Sequence, residues 1–225
     1  MTDVGLQYFE GKTFALHTLN FTGLIGVTGH GLYQPIFSCK ETLRIYCGGL
    51  MDQEEMKVAE FGKALGNCFK LQSFDLSGNK HMTDEFFSNL TSQAVGPEGK
   101  QEKPGLAELH TAKMAFLVNI SDVSVQKVCQ TSKVLEHLEI NGCEKITEFG
   151  LDNIFKNFHS LQFVDLNLIP VITPALLEQL KAHRPDILFR RYKLADIDPK
   201  DNMLRVPWRI AEKGGAKGKK KKKKK

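Results

Sequence analysis

Leu135-Glu136-His137-Leu138-Glu139-Ile140-Asn141-Gly142-Cys143-Glu144-Lys145-Ile146-Thr147-Glu148-Phe149-Gly150-Leu151 is the stretch whose reading decides the fold. Its first half spaces apolar residues at Leu135, Leu138 and Ile140. In an extended chain successive side chains point to opposite sides, so Leu138 and Ile140 turn inward while His137, Glu139 and Asn141 face out. In the second half Cys143 and Ile146 bring the chain back into the interior, and Leu151 and Ile154 form the apolar stripe of a short helix. A unit built this way leaves an apolar edge open on each side and cannot bury it alone, so copies must stack on it.

The copies are present. First strand leucines fall at Leu16, Leu43, Leu71, Leu106, Leu135 and Leu161, in steps of 27, 28, 35, 29 and 26 residues. That spacing is close to the roughly 20–29 residues of leucine-rich repeats. The units read Leu16/Leu19/Phe21/Leu24 with Val27 and Leu32, Leu71/Phe74/Leu76 with Asn79 and Met82, Leu106/Leu109 with Ile120 and Val125, and Leu161/Val164/Leu166 with Ile172 and Leu177. The Leu43 unit is degenerate, with Tyr46 in place of a leucine and Gly48-Gly49 interrupting the strand, and its register is open. The expected fold is α/β: a right-handed leucine-rich-repeat solenoid with a parallel sheet on its concave face and helices or turns on its convex face.

The long step coincides with residues 92–105, SQAVGPEGKQEKPG, which are polar, rich in Gly and Pro and without apolar periodicity; this reads as a loop insertion, tolerated or used for docking. The domain assignment is a repeat domain over 1–192 with about six strands, a C-terminal cap over 193–210, and a disordered polybasic tail over 211–225. The period stops after Leu180, His183 to Tyr192 reads as a final strand, and Trp208 is either the anchor of the cap or an interface residue. The opening Met1 to Phe9 matches the second half of a repeat without its strand, as expected of a natural N-terminal cap or of a chain whose upstream part is missing.

The formal charge is +5, of which Lys217 and the run Lys219 to Lys225 supply eight, so the rest of the chain carries −3. The repeat body is mildly acidic and the basicity lies in the tail. No apolar run reaches the roughly 18 residues of a membrane span, and no signal-peptide layout opens the chain, so an intracellular, cytoplasmic protein is expected. The five cysteines include no CxxC pair, which argues against disulfides and zinc; Cys39, Cys68 and Cys129 are expected to pack as small hydrophobes.

The pattern Leu-x-x-Leu-x-Leu-x-x-Cys-x-x-Ile-Thr-x-x-Gly-Leu over Leu135 to Leu151 recurs in part at Thr2-Asp3-Val4-Gly5-Leu6, Thr28-Gly29-His30-Gly31-Leu32 and Thr83-Asp84. It resembles the cysteine-containing leucine-rich repeats of F-box/LRR proteins over about four-fifths of the chain. That family includes ubiquitin-ligase substrate receptors and structural subunits of cilia. No F-box precedes the repeats, and Leu24, Asn79 and Ala112 or Ala115 stand near where Cys143 stands. A Lys/Gly-rich terminus on such a body is similar to the leucine-rich-repeat subunits of the ciliary nexin–dynein regulatory complex.

In this register the outward row of the strands runs Asn20, Cys47, Asp75, His110, Glu139, Asp165, flanked on one side by Glu108, His137 and Phe163 and on the other by Asn141 and Asn167. The expected partner-binding residues on the concave face are Asp75, Glu108, His110, His137, Glu139, Asn141, Phe163 and Asp165. Four carboxylates with almost no opposing cation would make the face acidic and suited to a basic or hydrogen-bonding partner. The alternatives are a solvated polar face, or a face covered by the chain's own lysine tail. Acid–base catalysis by His110 or His137 with the carboxylates is disfavoured, since no nucleophile elbow, phosphate loop or metal spacing accompanies them; no catalytic residue, cofactor or metal is assigned. Lys217, Lys219, Lys220, Lys221, Lys222, Lys223, Lys224 and Lys225 form the expected polyanion-binding tail, for tubulin tails, RNA or an anionic membrane, without reading base sequence.

Together these readings give a non-catalytic interaction scaffold of a large assembly, with the axoneme as its expected setting. The alternatives are the substrate-recognition part of an F-box-type ubiquitin ligase, or an RNA- or ribosome-associated factor.

Overall fold

The computed structural model describes residues 2–24, 26–27, 29–51, 57–91 and 106–190. The chain divides into two units, Met1–Arg191 and Tyr192–Lys225. Three expectations lie outside the described residues: the insertion at 92–105, the cap over 193–210 with Trp208, and the tail over 211–225. The polyanion-binding residues Lys217, Lys219, Lys220, Lys221, Lys222, Lys223, Lys224 and Lys225 all belong to that last segment.

Seven three-residue strands, β1 (Thr18–Asn20), β2 (Ile45–Cys47), β3 (Ser73–Asp75), β4 (Thr111–Lys113), β5 (His137–Glu139), β6 (Phe163–Asp165) and β7 (Leu188–Arg190), pair in sequence order into one parallel sheet. Each of the first six is followed by a helix: α2 (Gly29–Ser38), α3 (Val58–Gly66), α4 (Asp84–Leu90), α5 (Asp122–Thr131), α6 (Glu148–Asn157) and α7 (Pro174–His183); a short α1 (Asp3–Leu6) and a 3₁₀ turn precede β1. This is the α/β leucine-rich-repeat solenoid that the spacing of the leucines implies.

The middle residue of every strand points into the core. Leu19, Tyr46, Phe74, Ala112, Leu138 and Val164 are all buried, and Phe189 packs against them at the last strand. The Leu43 unit is in register, with Tyr46 paired to Phe74. Its glycine pair has a packing reason: a Cβ on Gly48 would lie 2.7 Å from the Tyr46 hydroxyl, so Gly48 vacates the volume of an inward leucine for the longer tyrosine ring.

One unit is corrected. Strand β4 pairs Ala112 with Leu138 and Lys113 with Glu139, so its first leucine is Leu109 and not Leu106, and the steps become 27, 28, 38, 26 and 26. Leu106 and Leu109 are both buried, three residues apart, and either fits the first position; the polar insertion just before them removes the local period that would have decided. The decisive signal lies downstream. Ile146, Met82, Val27 and Ile172 each follow their first leucine by 11 residues, and Ile120 stands 11 residues after Leu109.

Adjacent repeats are stapled by carboxylates at the helix starts. Asp84, the first residue of α4, accepts hydrogen bonds from the amide and hydroxyl of Ser121 (2.9 and 2.7 Å) and from the amide (3.2 Å) and hydroxyl of Ser124 in the next repeat. Asp122, the first residue of α5, takes the amide (2.8 Å) and hydroxyl of Thr147 in turn. Gly150 occupies in α6 the place that Ser124 occupies in α5, and a Cβ there would collide with the Asp122 carboxylate. The Thr-x-x-Gly element of the repeat pattern is therefore the hydrogen-bond-donating half of an inter-repeat clasp, whose accepting half is the Asp of the repeat before. The same Ser121 and Thr147 hydroxyls cap their own helices by accepting from the Val123 and Phe149 amides.

Each of the first six strands leaves the sheet through a residue with positive φ: Gly23, Leu50, Gly78, Phe116, Gly142 and Leu168, at 74°, 56°, 77°, 57°, 72° and 58°. Glycine and a bulky apolar residue alternate strictly along this edge. Leu50 lies over Gly78 and Phe116 over Gly142, so closely that a Cβ on either glycine would overlap the neighbouring side chain. One residue further on, Asn79 and Cys143 take equivalent buried places. Asn79 donates to the Gly48 and Leu76 carbonyls (2.6 and 2.8 Å) and accepts from the Met51 amide (2.7 Å), while the Cys143 thiol donates to the Met114 carbonyl at 3.1 Å.

Candidate protein-binding face

The sheet side away from the helices carries two rows of side chains, because the first and last residues of a three-residue strand point the same way. The first row runs Thr18, Ile45, Ser73, Thr111, His137, Phe163, Leu188; the last runs Asn20, Cys47, Asp75, Lys113, Glu139, Asp165, Arg190. Of the residues expected there, Asp75, His137, Glu139, Phe163 and Asp165 stand in these rows, and Asn141 follows β5 on the same side. Glu108 and His110 do not. The three-residue shift of β4 puts Glu108 in the turn before the strand, exposed, and leaves His110 ahead of Thr111, 3.4 Å from the Glu136 carboxylate.

That shift also corrects the charge. Lys113 lies between Asp75 and Glu139 in the last row, and Arg190 lies beside Asp165, so the face carries three carboxylates interleaved with two cations and is not uniformly acidic. Lys113 escapes the sequence reading because Leu106 imitates the first leucine, and Arg190 because the seventh strand falls outside the repeat period.

Some of these polar groups shape the chain itself. Asn20, Asp75 and Asp165 each accept, through a side-chain oxygen, the backbone amide two residues on (Thr22, Ser77 and Asn167, at 3.0, 3.0 and 3.1 Å), which turns the chain out of the strand. Asp75 is thus committed in part to its own turn.

Three polar groups in and just after β5 and β6 are buried rather than solvated. Glu139 is 6% exposed, Asn141 3% and Asp165 0%. Burial pushes the Glu139 carboxyl up, but the hydrogen bond from His137 Nε2 (2.8 Å) and the Lys113 ammonium at 3.5 Å outweigh it and hold the group below its usual value. Asp165 goes the other way. Burial raises its carboxyl, with a further push from Glu139, and the Asn167 hydrogen bonds and the charge of Arg190 do not offset it. The Oδ2 of Asp165 and the Oδ1 of Asn141 have no hydrogen-bond partner among the described residues. Beside them the His137 and Phe163 rings stack with centroids 4.2 Å apart and planes 14° apart, and the Arg190 guanidinium lies 6.0 Å from the Phe163 ring.

Such a site offers flat aromatic surface, fixed charges of both signs and unfilled acceptors, which is the chemistry of recognition. Among the described residues no group of three or more His, Cys, Asp or Glu side chains is placed to hold a metal ion. Four of the five cysteines, Cys39, Cys68, Cys129 and Cys143, are buried, and burial pushes Cys39 up to about 11 and Cys129 and Cys143 up to about 12, while Cys47 stands in the last row only partly covered. No helix among the described residues is long and apolar enough to cross a membrane.

No protein-family model matches the chain. Among solved structures, the complex of Rad7 and Elc1 in yeast is similar at 11% sequence identity and a TM-score of 0.28, over 91% of this chain and 82% of that one. The fold assignment stands on the seven parallel strands themselves.

Proposed function

We propose that the chain is a non-catalytic protein-interaction scaffold that docks a partner across the β4–β7 part of the sheet. The observation that carries this reading is the buried polar cluster of Glu139, Asn141 and Asp165 beside the stacked His137 and Phe163, on the side of the sheet that its own helices leave free. Buried polar groups and a rigid aromatic pair are what interface hot spots are made of, whereas a merely solubilising face would leave its carboxylates in water. The setting we propose is cytoplasmic, in a large assembly of the axonemal kind, a reading supported by the resemblance of the repeats and by the lysine-rich terminus that adds electrostatic attachment to an acidic polymer.

The test is affinity capture of the tagged full chain from its native cells under gentle salt, with mass spectrometry of what co-purifies. Dynein-associated and coiled-coil subunits should be captured, lost with Phe163→Ala and Lys113→Glu, and kept with the helix-side control Lys156→Glu. An F-box adaptor with a cullin would replace this setting by a ubiquitin ligase. Capture indifferent to both face variants would overturn the docking reading itself.

A further inference from the structure

We propose that the rim formed by the starts of α5 and α6 is a second docking surface, whose occupant is a basic amphipathic segment of a protein partner, one that sets lysine or arginine beside a large apolar anchor. This goes beyond the scaffold reading, because the rim belongs to the helix layer and uses none of the residues of the sheet face.

Val123 and Phe149 are the second residues of α5 and α6, and they are 44% and 61% exposed. A single bare apolar side chain on a surface needs no explanation, but these two flank one seam. Asp122, next to Val123, accepts the Thr147 amide and hydroxyl, and its carboxylate abuts Gly150, next to Phe149. That seam is the less protected of the two clasps. Asp84 gathers four hydrogen bonds in a half-buried setting, whereas both bonds to Asp122 are exposed. A partner seated on Val123 and Phe149 would shut water out from those bonds and strengthen them, as the buried centre of an interface does.

Charge selects the occupant. The first two residues of α4, α5 and α6 include Asp84, Glu85, Asp122 and Glu148 and no cation. The partial positive charge of a helix start accounts for carboxylates there, but not for an aromatic ring among them. Glu85 and Glu148 are exposed, and neither carboxylate has a partner among the described residues. The lysines of these repeats are placed elsewhere: Lys145 donates to the Asn119 side-chain oxygen at 3.0 Å, Lys156 pairs with Asp152 at 2.6 Å, and Lys127 stands a turn further along α5. Such a rim repels phosphate polymers and anionic lipid and attracts lysine and arginine, to which Phe149 also offers a ring face.

The experiment titrates the isotope-labelled full chain, followed by NMR, with three capped peptides about 14 residues long and of helical spacing, built from leucine and lysine, from leucine and glutamate, and from serine and lysine. The leucine–lysine peptide is expected to bind at about 0.1 mM Kd, at least about tenfold tighter than either control, with shifts centred on Val123 and Phe149 and slower exchange of the Thr147 amide. Phe149→Ser should weaken it about tenfold and Glu148→Lys several-fold, both at exposed positions where the fold tolerates the change, while Phe163→Ala on the sheet should leave it unchanged. Equal binding of the glutamate peptide, unchanged affinity in Phe149→Ser, or shifts confined to the sheet face would overturn the proposal. So would a dimer of the wild-type chain in sedimentation that Phe149→Ser dissolves, since a second copy would then be the occupant. Movement of the Phe149 signals when Lys219 to Lys225 are changed to Gln with no peptide present would overturn it as well, in favour of the chain's own tail. If the peptides fail while capture still depends on Phe163 and Lys113, the scaffold reading stands and this one falls.

Discussion

Removing the Asp84 carboxylate should uncouple α4 from α5, and the cost can be worked from the geometry. Asp84 receives four hydrogen bonds from Ser121 and Ser124. Not all are lost outright in Asp84→Ala. The Ser124 amide has a second acceptor in the Ser121 carbonyl at 3.1 Å, and water can reach the half-buried Ser121 side, whereas Ser124 is fully buried and its hydroxyl keeps no substitute. Bonds to a charged acceptor are worth about 1.5–3 kcal/mol when sealed and much less when water replaces them, so the sum is about 2–3 kcal/mol. In urea, with a slope of about 2–3 kcal/mol/M, the unfolding midpoint should fall by about 1 M, read by far-ultraviolet circular dichroism. Asp84→Asn keeps one acceptor oxygen and should lose about half as much. The pH dependence gives an independent check. Burial alone would raise the Asp84 carboxyl, but the Ser121 and Ser124 hydrogen bonds outweigh it and hold the group below its ordinary 3.8. A group depressed in the folded state contributes stability that is complete above its unfolded value and is lost as pH falls through the folded one. The gap between the wild type and Asp84→Asn should therefore be full at neutral pH and close below the ordinary carboxylate value. A midpoint for Asp84→Ala within about 0.5 kcal/mol of the wild type, or a gap to Asp84→Asn that persists unchanged into acid, would refute the clasp.

Three further outcomes are expected. Asn79→Ala leaves the Gly48 and Leu76 carbonyls and the Met51 amide without their buried partner and should cost about 3 kcal/mol by denaturant titration. Gly142→Ala places a Cβ both at positive φ and against the Phe116 ring, and should lower Tm by about 4–8 °C for about 2 kcal/mol; adding Phe116→Gly should recover part of the loss by removing the overlap. Of the five cysteines, only Cys47 is not fully buried, so an aromatic disulfide reagent should label one thiol in the native protein and all five in denaturant.

The parallel sheet, the order of its strands and the core positions were legible because the leucine spacing repeats and each repeat places the same side chains inward. The register of β4 was not. There Ala112 and Met114 fill the places of leucines, and a buried Leu106 imitates the true first position three residues away. On the candidate face, His137, Glu139, Phe163 and Asp165 could be read from strand alternation, while Lys113 and Arg190 could not, the one because of that shift and the other because β7 stands beyond the last full repeat. The clasp escaped the sequence because its two halves lie 25 and 37 residues apart in the Asp122–Thr147 and Asp84–Ser121 pairs, and Asp followed by a distant Ser or Thr carries no local signature. The burial of Glu139 and Asp165 was equally hidden, since strand alternation tells which way a side chain points but not whether water reaches it.

The alternation along the positive-φ edge, Gly23, Leu50, Gly78, Phe116, Gly142, Leu168, sets the grain at which this solenoid can be shortened or lengthened. Excising the single repeat that holds Gly78 would bring Leu50 against Phe116, two large side chains where the backbone allows one. Excising the Gly78 and Phe116 repeats together would set Leu50 over Gly142 and restore the fit. Along this edge the interchangeable module is a dimer of repeats, and any duplication, deletion or redesign that preserves the packing must count in twos.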